Sequence, residues 1–380
     1  MKTTHHIMWD SPESHILLNP RCSDDLRVRF LKMFEYAPSF ERHVWLATSG
    51  SSGKLKLVAL SKEALLCSAE AVNRHLDASS NDRWGLALPK FHVGGIGVLA
   101  RAYVSGASSV EMTPWDVNFF QKQLSDQHVT LVSLVPTQIH DLVHIGCEAP
   151  PLLRAVIVGG GPLSPKLYLQ ARKLGWNLLP SYGLTECCSQ VATASLETLD
   201  GYENPSLKIL DHMKVRVSSQ GLLEFCGNSL FTGHLCEHEE GAIFSDLKRN
   251  GWFTSDDRGS LFGDHLLFHG RVDDMIKIGG ESVDLTRLDH LLHDLAIEIG
   301  FSGDAVLIPV SNERLGSVIH LFVAQARADQ VSELYVRFNA TVLPFERIRV
   351  VNQMKELPRS SLGKILKNEM RAFKEPQSRT

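Results

Sequence analysis

Apolar runs of strand length recur along the first half of the chain, at HVWLA (43–47), WGLAL (84–88), TLVSLV (130–135), RAVIV (154–158) and WNLL (176–179). Between them the spacing of apolar positions changes to that of an amphipathic helix. SKEALLCSAEAVNRHL (61–76) predicts a helix with Ser61 as N-cap, and SPKLYLQARKLG (164–175) predicts one capped by Ser164 and ended by Gly175. Buried strands alternating with helices predict a large α/β domain built of layered sheets. From about residue 213 the pattern shortens to strands and turns, as in MKVRVSSQGLLEF with a hairpin turn at Ser219-Gln220-Gly221, so a small β portion closes that domain. After Gly270 a polar, charge-rich GRVDDMIKIGG leads into a helical pattern (285–299), strands at 305–310 and 318–324, a helix near 330–340, a strand at 347–351 and the helical ILKNEMRAF. This order predicts a small α+β C-terminal domain of about a hundred residues, with the junction near 271–274. No internal repeat is visible.

Composition narrows the class. Among 380 residues, 43% are hydrophobic and 22% charged, which excludes disordered and low-complexity chains. Lys+Arg 39 against Asp+Glu 43 gives a net charge of −4, so no bulk field is present to hold nucleic acid or an anionic membrane. Seven cysteines, an odd number without a C-x-x-C pair, predict reduced thiols and a cytoplasmic protein. The start carries no apolar signal core, and no 18 apolar residues run together, so neither secretion nor membrane spanning is expected.

The sharpest local feature is Thr48-Ser49-Gly50-Ser51-Ser52-Gly53-Lys54-Leu55-Lys56, between two expected strands. Glycines let backbone N–H groups approach a polyphosphate, and hydroxyls and lysines donate to its oxygens. A Walker loop would need Gly where Thr48 stands and Ser or Thr where Leu55 stands, so this is a different loop. Taken alone, it also reads as a flexible Ser/Gly surface loop. Gly159-Gly160-Gly161 falls at the C-terminal end of a buried strand, where open α/β sheets bind ligands. Ser181-Tyr182-Gly183-Leu184-Thr185-Glu186 follows the next strand with an aromatic face, a hydroxyl and a carboxylate. Trp252 to Gly259 (WFTSDDRG) offers adjacent carboxylates, Arg271 stands at the domain junction, and Leu357 to Lys364 (LPRSSLGK) is a Pro-anchored loop ending in a lysine. Each alone reads equally as a turn or a core residue. His234-x-Cys236-x-His238 has metal-like residue types but sits in a charged stretch that reads as a solvated loop, and Cys187-Cys188 reads as a pair of small core residues. Neither is given a role.

In this order and spacing, from about residue 44 to 366, the segments resemble the adenylate-forming superfamily of acyl-CoA synthetases, peptide-synthetase adenylation domains and luciferases. LPKFHVGGIGVLARAYVSGA (88–107), VSLVPTQ (132–138) and YGLTECCSQVAT (182–193) are, within it, most similar to the o-succinylbenzoate-CoA ligases of menaquinone biosynthesis. The resemblance implies an AMP-forming ligase that joins a carboxylic acid to CoA using ATP and Mg²⁺, with an acyl-adenylate between. A CoA ligase for another aromatic or dicarboxylic acid, or a noncatalytic nucleotide-binding relative, are the alternatives.

The roles it implies are as follows. Thr48, Ser49, Gly50, Ser51, Ser52, Gly53 and Lys56 hold the ATP phosphates, although Ser52 and Leu55 replace the usual Thr and Pro. Gly159, Gly160 and Gly161 line the adenine and acyl pocket, and Tyr182 stacks on adenine. Thr185 contacts the α-phosphate, Glu186 holds Mg²⁺, and Asp257, with Arg271, takes the ribose hydroxyls; Asp256 is the runner-up. Lys364 supplies positive charge to adenylation. The small domain (275–380) turns on a hinge (272–274) at Asp273 against the first domain (1–271), bringing Gly279-Gly280 toward the thioester tunnel. His92 gates the acid pocket or is an ordinary histidine at a helix start, and Ser189 lies with it. Arg101 interrupts the apolar, small-residue VGGIGVLARAYVSG (93–106), where it either grips a second carboxylate or packs its stem on the helix. Only 47 residues precede Thr48, fewer than the superfamily pattern. This leaves open a pared-down ligase, a homodimer whose partner supplies the missing elements, or a degenerate relative.

Overall fold

The computed structural model describes residues 7–49, 55–201, 205–359 and 365–371. Two large sheets organise the first unit. A five-stranded sheet runs in the order His15–Leu17, His43–Ser49, Leu55–Ser61, Gly233–His238, Gly241–Ser245. An eleven-stranded sheet holds the parallel strands Leu178–Leu184, Ala155–Val158, Leu131–Leu134, Arg83–Leu86 and Ser108–Glu111. From Leu178–Leu184 outward it continues through Ser189–Thr193, Leu207–Ile209, His265–Arg271, Phe253–Phe262, Leu222–Gly227 and Met213–Val217. The strands expected from residue 213 onward are therefore shared between the two sheets. The parallel strands Leu131–Leu134 and Ala155–Val158 are buried at every position, as strands covered on both faces must be.

Local chemistry fixes the elements that frame the site. Ser61 caps the helix Lys62–His75 by accepting the Ala64 N–H at 3.0 Å, and Ser164 accepts the N–H of Leu167 at 3.2 Å ahead of the end of the helix Pro165–Lys173 at Gly175, φ 84°. The hairpin between Met213–Val217 and Leu222–Gly227 turns at Gly221, φ 78°. Three helices carried no recognised sequence signal: Asp24–Phe34, Val117–Asp126 and Pro136–His144.

Contacts divide the chain into two compact units: residues up to Gly161 with Tyr168–Phe268, and Pro162–Leu167 with His269 onward. In the second unit the polar stretch after Gly270 forms a hairpin, Met275–Ile278 with Glu281–Asp284. A three-stranded sheet (Asp304–Asn312, Gly316–Ala324, Ile348–Met354) packs on the helices Leu285–Glu298 and Ala328–Thr341 around Leu288, Leu292, Leu321, Leu334 and Phe338. All seven cysteines are unpaired, and among the described residues no helix is long and apolar enough to cross a membrane.

Candidate active site

The strands His43–Ser49 and Leu55–Ser61, on either side of the hydroxyl-rich segment, pair antiparallel with Thr48 opposite Lys56 and Ser49 opposite Leu55. Gly50, Ser51, Ser52 and Gly53 lie outside the described residues. Thr48 Oγ1 is buried with no hydrogen-bond partner among the described residues. Lys56 extends to Glu186, Nζ to Oε1 3.0 Å, and His234 Nε2 meets the same oxygen at 3.0 Å. Burial alone would raise the Glu186 carboxyl. The His234 hydrogen bond and the Lys56 charge overcome that and hold it at about 2.

His234 is the residue that sequence reasoning set aside. GHLCEH forms the strand Gly233–His238, paired on both sides, and not a solvated loop. His234 is opposite Val58, on the sheet face that Lys56 shares, so alternation along two paired strands delivers both to one carboxylate. With an ordinary value of 4.5, Glu186 contributes stability that is fully present above that pH and is lost as pH falls toward about 2. Glu186→Gln should therefore lower stability at pH 7 by something on the order of 3 kcal/mol, with the deficit shrinking below pH 4.5. Urea unfolding of both proteins from pH 7 to 3 measures this. A deficit undiminished at pH 3 would mean that the charge of Glu186 is not what stabilises the site.

Glu186 reaches this position through an abrupt change of direction. Tyr182, Gly183 and Leu184 end the strand Leu178–Leu184 itself, one element earlier than the sequence suggested. Pairing with Ser189–Thr193 slips at Tyr182/Gly183, and a Cβ on Gly183 would lie 1.8 Å from the Ser189 carbonyl oxygen. Only glycine permits that approach. A single 3-10 turn, Thr185–Cys187, then carries Thr185 and Glu186, followed by Cys188 and Ser189 at φ 55° and 101°. Positive φ at two successive non-glycine residues is the strain expected where a fold fixes functional side chains. Cys187 and Cys188 are buried, and burial pushes both thiols up, away from nucleophilic character.

The tyrosine joins the next candidate. Tyr182 Oη donates to Asp257 Oδ2 at 2.6 Å, and its ring stacks on Phe268 (5.2 Å) and Phe225 (6.1 Å). At 8% exposure this ring is chiefly a core residue with a polar tip on the Asp257 carboxylate. Asp256 and Asp257 lie within the strand Phe253–Phe262, not in a turn; alternation exposes Asp256 and half-buries Asp257 against Tyr182. Gly159, Gly160 and Gly161 follow the buried strand Ala155–Val158, and a Cβ on Gly159 would lie 2.8 Å from Ser181 Oγ. The glycine run thus lies directly beside the strand that leads to Tyr182.

Arg101 is a deeply buried charge. It is 2% exposed in the helix Val93–Ser105, its guanidinium lies 5.2 Å over the Trp84 ring, and Nη1 donates to Ser133 Oγ at 3.0 Å. Among the described residues no carboxylate pairs with it. Burial drives it down to about 9. The guanidinium reaches neither solvent nor, among the described residues, a carboxylate. Ser133 and Trp84, which sequence reasoning did not single out, come from strands Leu131–Leu134 and Arg83–Leu86, and Gly97 brings the arginine near Ser189. His92 precedes the helix without capping it, beside Phe91 (5.0 Å), and burial lowers it to about 4, so it is neutral at pH 7.

The remaining candidates fall in the second unit. Arg271 is exposed at the end of the strand His265–Arg271, and Asp273 lies in the 3-10 turn Val272–Asp274. Lys364 lies outside the described residues, in a segment whose flanks are joined by the Arg359–Ile365 bridge and by Leu366 N–H to Pro358 O at 2.8 Å.

No group of three metal-capable side chains exists among the described residues. A lone carboxylate fits Mg²⁺, which takes one or two protein oxygens and completes its shell with phosphates and water. Both hydrogen bonds to Glu186 fall on Oε1, so Oε2 takes part in neither.

The two sheets and the turn that carries Glu186 are those of a nucleotide-dependent enzyme of the AMP-binding type. The AMP-binding enzyme family model matches residues 43–233, just over half of the chain, and the chain belongs to that family. It is 27% identical over 337 residues to the 2-succinylbenzoate–CoA ligase of Bacillus pumilus (strain SAFR-032), covering 86% of this chain and 68% of that one. The enzyme of the same name from Staphylococcus epidermidis (strain ATCC 35984) is 26% identical over 333 residues, again 86% and 68%. The chain thus spans about two thirds of the length of these relatives. Among solved structures, o-succinylbenzoate CoA synthetase (MenE) from Bacillus subtilis in complex with the acyl-adenylate OSB-AMP aligns with a TM-score of 0.78 at 21% identity, covering 95% of this chain and 83% of that one. ATP-bound MatB from Rhodopseudomonas palustris aligns with 0.71 at 20%, covering 86% and 67%. These share the adenylate-forming fold with this chain.

Proposed function

We propose that the chain is an AMP-forming acid–CoA ligase acting on 2-succinylbenzoate. The observation that carries the substrate is Arg101: a guanidinium buried this deeply, with no carboxylate partner among the described residues, is costly unless an anion arrives, and 2-succinylbenzoate keeps one free carboxylate while the other is activated. The curated relatives bear the name of that reaction.

In the first half-reaction a carboxylate oxygen attacks the α-phosphorus of ATP, forming the acyl-adenylate as the bond to pyrophosphate breaks. In the second, the CoA thiol adds to the acyl carbonyl, its proton is lost, and AMP leaves with the electron pair. Neither step needs a protein nucleophile; positioning and charge carry the barrier. Thr48 Oγ1 and Lys56 serve the phosphates, with Ser49, Gly50, Ser51, Ser52 and Gly53 between them in sequence, and Thr185 meets the α-phosphate. Glu186 holds Mg²⁺, which when bound neutralises phosphate charge, and nucleotide arrival draws Lys56 from its carboxylate to the phosphates. Asp257 accepts from the ribose hydroxyls, with Tyr182 fixing its orientation and Arg271 assisting. The glycines 159–161 border the adenine, while Ser189, His92 and Arg101 face the acid. Lys364 serves adenylation, and the 275–380 domain turns about Asp273 between the steps.

A pyrophosphate-release screen across carboxylic acids, with and without CoA, tests this. Release with 2-succinylbenzoate, and thioester formation only when CoA is added, is the expected result; silence with every acid overturns it. Asp257→Ala should weaken ATP and AMP binding by about 1.5–3 kcal/mol while leaving acid binding nearly unchanged, because the ribose loses a charged acceptor. Calorimetry decides it. If Asp256→Ala weakens nucleotide binding and Asp257→Ala does not, the ribose site is misplaced by one residue.

A further inference from the structure

The helix that carries Arg101 contains three glycines in its first five residues, and they are not equivalent. A Cβ on Gly95 would lie 2.1 Å from the Pro89 carbonyl oxygen, so close backbone approach explains that glycine. Gly97 has no such neighbour. Its nearest atoms would be Arg101 Nη2 at 3.1 Å and Ser189 Cβ and Oγ at 3.6 Å, all side-chain atoms of the acid site. Its φ is not positive, so the backbone does not demand glycine, and an interior glycine is otherwise a poor helix former.

Geometry explains the contact. Helical side chains lean toward the N-terminus, so Arg101 runs back one turn and its guanidinium comes to rest over the bare Cα of Gly97. Trp84 bounds it on one side and Ser133 fixes Nη1, so a methyl group at 97 could be accommodated only by displacing Nη2. That nitrogen is half of the fork that a carboxylate would engage in parallel.

We propose that Gly97 is a specificity-determining residue: its missing side chain is the space in which the Arg101 guanidinium rests, and this sets the fork where it meets the unactivated carboxylate of a dicarboxylic acid. The inference rests on the function proposed above. A ligase for monocarboxylic acids would have no need of the glycine.

The test is Gly97→Ala, assayed by pyrophosphate release with 2-succinylbenzoate and with a monocarboxylic analogue lacking the unactivated carboxylate. The Michaelis constant for the dicarboxylic acid should rise about 10-fold, since a site built to bind a polar group loses selectivity when the pairing is disturbed. The constants for ATP and for the analogue should not move. Thermal unfolding should show the variant no less stable than the parent, because Ala is the better helix former. An equal rise for both acids, or no change for either, overturns the role of Gly97 while leaving the ligase reading intact. Failure of the unmodified protein to adenylate 2-succinylbenzoate overturns that reading, and the role of Gly97 with it.

Discussion

Replacing Lys364 with Ala should slow acyl-adenylate formation by about 10²–10³-fold while sparing thioester formation from preformed adenylate, the loss expected when one transition-state charge is removed. In the first half-reaction an anionic carboxylate approaches an anionic triphosphate, and negative charge builds on the α-phosphoryl oxygens and the leaving pyrophosphate. A cation placed there acts on the transition state more than on either reactant, so its removal lowers the rate more than the affinity. In the second half-reaction a thiol adds to a carbonyl and that cation has no partner. The described residues on either side of the lysine are tied down: Arg359 bridges to Ile365 and forms an ion pair with Asp304, and Leu357 is buried. Single-turnover assays of each half-reaction check the division. Equal losses in both would show that Lys364 does not act on adenylation alone.

Residues that carry their own backbone signal were legible in the sequence. Ser61, Ser164 and Gly175 mark helix ends through local hydrogen bonding and φ, which short stretches encode. The same holds for the glycines 159–161, at the end of a strand whose burial is written in its composition. His234 was not legible, because GHLCEH is a strand only by virtue of pairing with Leu55–Ser61, more than 170 positions earlier, and with Gly241–Ser245. Strand formation of this kind reflects neighbours more than intrinsic preference. The helix Asp24–Phe34 is hard to read from the sequence although Ser23 caps it, because its exposed Val28 and Leu31 blur the apolar stripe. Arg101 was visible as an oddity, but its surroundings were not: Trp84 and Ser133 reach it from two different strands.

Those surroundings give Arg101→Leu a signature that a structural arginine would not share. Burial lowers the group to about 9, so it is charged at pH 7, and the fold bears the cost of that charge at every pH below about 9, with relief only as pH rises above that. One hydroxyl and one ring face offset only part of the lost hydration. Leucine in the same space removes the cost, so the variant should unfold at an equal or higher temperature, as found when buried charges give way to apolar residues of similar volume. Activity should move the other way. The Michaelis constant for 2-succinylbenzoate should rise about 10²-fold, as when one partner of a buried charge pair is truncated, with ATP affinity unchanged and the preference over a monocarboxylic analogue narrowed. Ser133→Ala should move the same constants less, since Trp84 and the helix still hold the guanidinium in place. If Arg101→Leu destabilises the protein and leaves acid discrimination untouched, the arginine belongs to the core, and 2-succinylbenzoate loses its physical support as the substrate.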